Sequence, residues 1–444
     1  VTGEPVRLRR LATADAGFAA ALTALLHWDI TESSSVNDAA AGIIAQVRAD
    51  GPAALLALTA QYDGWTAARV EDLVLTGDDF AAAFDGLASE QRDSLQQAHD
   101  RVARYHEAQR QGGFEIDDEF GNRLGQRVTP MDRVGVYVPG GQAAYPSTVL
   151  MTAVPARVAG VPEIIMTVPT PGGARNPLVL AAAHLAGVTG GYAVGGAQAI
   201  AALAFGCGPV PKVDKIVGPG GAFVAAAKRQ VYGQVGIDAI AGPSEILIIA
   251  DDSADPRWLA LDLFSQAEHD AAAQAVLVTA DPAVADAVLA QIQVLLPQQP
   301  RAELIRRSLT DRGAVIVCAD LAEAIEIANR VAPEHLQLAV REPRSWLPAL
   351  RHAGAIFLGV YSAEVMGDYV AGPSHVLPTF GTARFSSPLG VYDFEKRSSV
   401  IELTASGADV LGRLSATIAD GEGLHAHAAA ARARIAGYDQ NQEP

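Results

Sequence analysis

Gln266 and His269 stand three residues apart in DLFSQAEHD (262–270). On a helix, that spacing puts both side chains on one face. An amide oxygen and an imidazole held there can supply half of a metal site, although alone the pair describes a solvated helix face just as well. In APEHLQLAV (332–340), Glu334 and His335 adjoin where a helical segment hands over to a strand. Imidazole titrates near neutrality and burial tunes a carboxylate upward, so the pair could supply two distinct proton-transfer agents, or simply end a helix. Asp368 and His375 flank a Gly- and Pro-rich turn in MGDYVAGPSHVLPTFGTARFSS (366–387). A loop of that length, holding an acid and a His among few other charges, is more than a connector. GEGLHAHAAAARAR (421–434) adds Glu422, His425 and His427. Histidines two apart chelate only from extended backbone, because a helix turns them to different faces. By itself this stretch reads as an exposed helix start.

Three glycine-rich segments follow predicted strands: VPGGQAAYP (138–146), VGGAQAI (194–200) and VGPGGAFVAAAKRQV (217–231). The last has the order strand, Gly-rich turn, helix, which lets backbone N–H groups approach a pyrophosphate at a helix N-terminus. It lacks the full G-x-G-x-x-G fingerprint, since Gly218 and Gly220 are followed by Phe223 where a third Gly would stand. Glycine loops at the carboxyl ends of strands point to a nucleotide site without naming the nucleotide.

These residues need a scaffold, and 444 residues, 50% of them hydrophobic, can build more than one core. Short β-branched runs alternate with Ala-rich helical stretches from RVGVYV (133–138) through EILIIAD (245–251) and QAVLVTA (274–280) to HLQLAV (335–340). That rhythm predicts an α/β fold with two Rossmann-like, doubly wound parallel-sheet domains. Residues 13–112 and the tail from about 389 carry helical apolar spacing. A formal charge of −17 leaves no basic footprint for nucleic acid. No run of 18 apolar residues offers a membrane span. RLRR (7–10) precedes the apolar AGFAAALTALL (16–26), but Asp15 interrupts and no small-residue cleavage site follows, so no secretory signal is predicted. Cys207 and Cys318 are too few for a disulfide framework; their apolar surroundings predict buried thiols in a reducing cytoplasm.

Taken in order, GIDAIAGPSEILIIAD (236–251), DLFSQAEH, APEHLQL, GDYVAGPSHVLPT, VYDFEKRSS (391–399) and EGLHAH resemble the histidinol dehydrogenase family along nearly the whole chain. YVPGGQAAYPSTVLM (137–151) and VGGAQAIAALAFG (194–206) fit the same family. The resemblance implies a zinc- and NAD-dependent enzyme of histidine biosynthesis, oxidising L-histidinol through bound L-histidinal to L-histidine with two NAD. It assigns one Zn²⁺ per subunit to Gln266, His269, Asp368 and His427. Ser244, His335, His375 and Glu422 match the family's other substrate contacts, beside the four ligands. Glu334 falls where the family's water-activating base stands, and His335 where the base for both oxidations stands. Tyr137 and Gln198 match NAD contacts. The family commonly has Asn at a third NAD position, where this chain has Gly221, and Ser374 replaces an Asn before the His.

The family's C-terminal segment reaches into the partner subunit, so the resemblance also implies a homodimer with shared sites. The expected division is a helical extension (1–26), a discontinuous substrate, zinc and catalytic domain (27–132 with 244–388), an NAD-binding domain (133–243) and a C-terminal helical segment (389–444). Three alternatives stand beside this reading: a zinc hydrolase, a dehydrogenase of another polar alcohol such as a sulfonated diol, and a non-catalytic binding protein. Gly-rich loops at strand ends disfavour the hydrolase. Glu422, Ser244 and His375 suit an amino-imidazole alcohol, and the paired Glu334 and His335 disfavour a mere binder.

Overall fold

A computed structural model describes residues 6–27, 34–140 and 144–437. The chain separates into two compact units. One comprises the residues up to Gln109 together with Asp132–Phe394, the other Arg110–Met131 and the residues from Glu395 onward.

In chain order the strands begin with β1 (Arg9–Ala12), β2 (Val74–Leu75), β3 (Phe114–Asp117), β4 (Arg123–Pro130), β5 (Arg133–Tyr137), β6 (Glu163–Thr167), β7 (Gly190–Tyr192), β8 (Lys215–Val217) and β9 (Gly236–Ile237). They continue with β10 (Glu245–Ala250), β11 (Gln274–Thr279), β12 (Ala314–Val317), β13 (His335–Ala339), β14 (Ala355–Leu358) and β15 (Glu395–Glu402). In the larger unit a first sheet, ordered β1-β12-β11-β10-β13-β14, is parallel throughout. Every residue of β10 and β11 is buried, because helices cover both faces. Ile246, Ile248 and Leu277 face helices Pro256–Ala267 and Pro282–Leu295, while Leu247, Ile249 and Val276 face Phe18–Leu25 and Leu321–Val331. The second sheet, β2-β7-β6-β5-β8-β9, is parallel except for the edge strand β2. The α/β class with parallel sheets therefore stands as expected.

Several local expectations are corrected. Within the expected helical extension, Arg9–Ala12 is an edge strand paired with Ala314–Val317. Four half-exposed residues give no readable period, and their partner lies some three hundred positions away. Val74–Leu75 likewise interrupts the helical stretch to pair with Tyr192 and Gly191. Helices within 34–107 pack on the helices of the second sheet. Helix Ser34–Asp50 packs on helices Gly196–Phe205 and Ala222–Val231, and Ile43, Val47 and Leu55 share a core with Ile165 and Val194. The tail returns to helix only at Ala405, because Glu395–Glu402 pairs antiparallel with β4 in the smaller unit's three-stranded sheet. That strand is almost wholly exposed, so EKRSSVIE carries no apolar alternation to betray it. No described helix is long and apolar enough to cross a membrane. Cys207 and Cys318 are free and buried. Parts of two expected features, Trp28–Ser33 after the first helix and Gly141–Ala143 of the first glycine loop, lie outside the described residues.

Candidate active site

Two chain reversals bring the candidate residues to the amino edge of the first sheet. Asp255 caps helix Pro256–Ala267, accepting from the Arg257 N–H at 2.8 Å, with Pro256 opening its first turn. The helix ends so that the His269 N–H reaches the Gln266 carbonyl at 3.2 Å, which leaves both side chains just ahead of β11. Helix Leu321–Val331 starts on Asp320 and stops at Ala332, held at φ 52° in the left-handed region. Pro333 prevents its resumption, and the chain enters β13 at His335.

A cavity of about 520 Å³ opens there. Ser244, Gln266, His269, Glu334, His335, Asp368 and His375 line it from the first-sheet side, and Pro139 and Gly218–Gly221 line it from loops that follow β5 and β8 of the second sheet. Glu422 and His427 are not among the lining residues. Both belong to the smaller unit, where they are exposed, Glu422 ending helix Ala405–Gly421 and His427 within helix His425–Arg432.

One peptide segment holds both candidate bases. The Glu245 N–H donates to Glu334 Oε2 at 2.8 Å, and His335 Nδ1 donates to the Glu245 carbonyl at 2.9 Å. A carbonyl only accepts, so Nδ1 carries a proton, and in the neutral ring the lone pair falls on Nε2. Nε2 is buried without a hydrogen-bond partner, 3.7 Å from Asp368 Oδ1 and 3.9 Å from Glu364 Oε1. Glu334 Oε2 lies 3.6 Å from His335 Nδ1.

The electrostatics follow from packing four carboxyls around one imidazole. Burial pushes Glu334 up to about 8, and Glu245 and Glu364 each up to about 7. For His335 burial opposes the charged form, but Glu334, Asp368 and Glu364 outweigh it and hold the proton up to about 10. Burial would raise Asp368 too, yet neighbouring His335 outweighs it and brings the carboxyl down to about 2. Burial lowers His269 and His375. His375 Nδ1 donates to the Asp368 carbonyl at 3.0 Å, which ties the 368–375 turn together. Protons bind and leave such a cluster as a unit rather than residue by residue.

The arrangement fits a divalent cation. Buried carboxylates cost roughly several kcal/mol each unless positive charge accompanies them. Gln266 is 1% exposed, and its Oε1 is buried without a hydrogen-bond partner. With His269 and Asp368 in the same cavity, it completes an amide, imidazole and carboxylate donor set of the kind Zn²⁺ accepts. A second, overlapping group is His335, Glu364 and Asp368, whose donor atoms lie within 4.8 Å of one another. Sequence reasoning missed Glu364. Its signal is the four-residue spacing to Asp368 on helix Glu364–Tyr369. The Ser265 hydroxyl donates to Glu364 Oε2 at 2.9 Å, while Oε1 is buried without a hydrogen-bond partner. Glu245 was missed as well, since its role is carried mostly by its peptide group.

On the nucleotide side, Gly221 lines the cavity as the N-cap of helix Ala222–Val231. A Cβ there would meet nothing within 4 Å. Tyr137 and Gln198 do not line this cavity. They meet instead at the 195–196 turn: the Tyr137 hydroxyl accepts from the Gly196 N–H at 3.2 Å, and Gln198, 1% exposed, has an unpartnered Nε2.

Comparison with known proteins agrees along nearly the whole chain. The sequence profile described as histidinol dehydrogenase matches residues 28–435. Histidinol dehydrogenase of Dechloromonas aromatica (strain RCB) is 56% identical over 430 residues, covering 97% of this chain and 99% of that protein. The Pseudomonas aeruginosa PAO1 histidinol dehydrogenase is 56% identical over 431 residues, covering 97% and 98%. A crystal structure of histidinol dehydrogenase from Elizabethkingia anophelis matches with a TM-score of 0.91 at 31% identity, over 97% of this chain and 99% of that one.

Proposed function

The chain belongs to the histidinol dehydrogenase family, and from that premise we propose that it oxidises L-histidinol to L-histidine through a bound aldehyde, with two NAD. The observation that carries this reading is His335: a buried imidazole with Nδ1 pinned to a carbonyl and an unpartnered Nε2, next to a second base whose carboxyl is raised toward neutrality. NAD supplies the hydride acceptor in both steps. Gln266, His269 and Asp368 with the partner subunit's His427 would hold Zn²⁺, which when bound would supply a positively charged template for the alcohol's donor atoms.

The protein's own groups then divide the protons. His335 Nε2 takes the alcohol proton in the first oxidation. Glu334, whose Oε2 is occupied by the Glu245 N–H, has Oε1 to accept a proton from the water that adds to the aldehyde carbon. Once that first proton has passed to solvent, His335 Nε2 serves again when the hydrate loses its hydroxyl proton. His335 can act this way only where positive charge offsets the carboxylates that otherwise hold its proton, so the ligand Asp368 and the base belong within 4 Å of each other. Ser244 and His375, on the same cavity, bind and orient the substrate, and Glu422 of the second copy completes its polar contacts. The buried free thiols suit a reducing cytoplasm.

NADH formation from L-histidinol tests the reading. Turnover is expected to vanish after strong chelation and return with Zn²⁺; full activity in enzyme shown by elemental analysis to be metal-free would refute the metal's role. Mixing His427→Asn protein with a Glu334→Ala/His335→Ala variant tests the shared site. Hybrid dimers contain one wholly native site and should regain activity, whereas no recovery after verified subunit exchange would place each site within one chain.

A further inference from the structure

We propose that Lys228 and Asp238 are positioning residues for the nucleotide: a buried ion pair that clamps the 218–221 turn into the shape that receives the phosphates of NAD. This rests on the NAD reading above. Lys228 sits on helix Ala222–Val231, 2% exposed, and Asp238 follows β9. Lys228 Nζ donates to the Gly218 carbonyl at 3.0 Å and to Asp238 Oδ1, while Asp238 Oδ2 accepts the Gly218 N–H at 2.7 Å. Both polar groups of a single residue are thereby tied to the pair. That residue also has a backbone only glycine adopts without strain. Gly218 has φ 116°, and a Cβ would stand 2.1 Å from the Tyr137 carbonyl oxygen. No other residue type fits, and the pairing of β8 with β5 ends at Val217, one residue short of it.

Stability alone does not account for the pair. Two ionised groups taken out of water lose roughly several kcal/mol each, and apolar isosteres often serve a fold as well. What the pair uniquely provides is orientation. Lys228 and Asp238 border the cavity together with Gly218, Gly220 and Gly221. With its ammonium spent on Gly218 and Asp238, Lys228 acts through the turn rather than as a charge facing the ligand. Gly221 has no side chain to reach a nucleotide, so recognition there falls to backbone N–H groups at the helix N-terminus. Such groups bind well only if the turn is already in place, since ordering it during binding would consume affinity.

The test uses the intact, metal-loaded enzyme with Lys228→Met, Asp238→Asn and the double variant Lys228→Met/Asp238→Leu. NAD binding is followed by titration calorimetry and kinetically, alongside thermal midpoints. Each single variant leaves one charge buried alone and should melt earlier; the double removes both charges and should recover most of the midpoint. All three should weaken NAD, in Kd and in KM, by about tenfold or more, with kcat at saturating NAD and KM for histidinol within about threefold. If the singles do not fold, the double variant decides. A double variant with a wild-type midpoint and wild-type NAD affinity overturns the clamp. Wild-type enzyme that does not bind NAD overturns the NAD reading instead, and with it the ligand assigned to the clamp.

Discussion

The two sheet edges that face the cavity are built from different materials. At the amino edge of the first sheet the working atoms belong to side chains: Gln266, His269, Glu334, His335, Glu364 and Asp368 are packed together, and Gln266 Oε1, His335 Nε2 and Glu364 Oε1 are buried without hydrogen-bond partners. At the carboxyl edge of the second sheet the working atoms belong to the backbone, in the turn 218–221, and the buried charges Lys228 and Asp238 are paired with each other. The first edge concentrates unbalanced charge in a low dielectric, the condition for metal binding and proton transfer. The second presents a turn of fixed shape, the condition for receiving a dinucleotide. One edge is chemistry by side chain, the other recognition by peptide.

This contrast is open to attack from both ends. The largest effect belongs to the first edge. Glu334→Gln keeps shape and an amide but removes a base, so oxidation of the aldehyde should slow by about two to four orders of magnitude while the alcohol step survives. His335→Asn should slow both steps. Single-turnover NADH formation, started from histidinol and separately from histidinal, reads the two steps; equal slowing of both by Glu334→Gln would erase the division of labour. A far smaller effect is expected at the second edge. Gly221→Asn adds a side chain where an added Cβ meets nothing and φ is −66°, so the fold should accept it. One new hydrogen bond to the nucleotide would lower the Kd for NAD by about two- to twelvefold. An unchanged Kd would mean that backbone contacts already saturate that position.

Legibility from sequence followed the same divide. Gln266, His269, Glu334, His335, Asp368 and His375 could be singled out because each carries a titratable or donor side chain beside a predicted helix end or turn, and all six line one cavity. Glu245 was hidden because its peptide, not its carboxyl, holds the bases. Lys228 and Asp238 were hidden because ten residues separate them and only the chain's return from the helix into β9, alongside β8, brings them together. The alternation of β10, β11 and β13 with helices was plain, since buried parallel strands are continuous apolar runs. β1, β2 and β15 were not, because an edge strand's identity lies in a distant partner such as Ala314, Tyr192 or Pro130.

The mounting of Glu334 and His335 on the two ends of one Glu245 residue has a kinetic corollary. β10 and β13 are adjacent and in register from Ile246 and His335 onward, so any slide of one strand against the other carries both proton acceptors in step. Disturbances of the sheet would then reach both oxidations through the base they share, His335, so that neither half-reaction fails alone. An intermediate as reactive as an aldehyde is safest in an enzyme whose two half-reactions falter together.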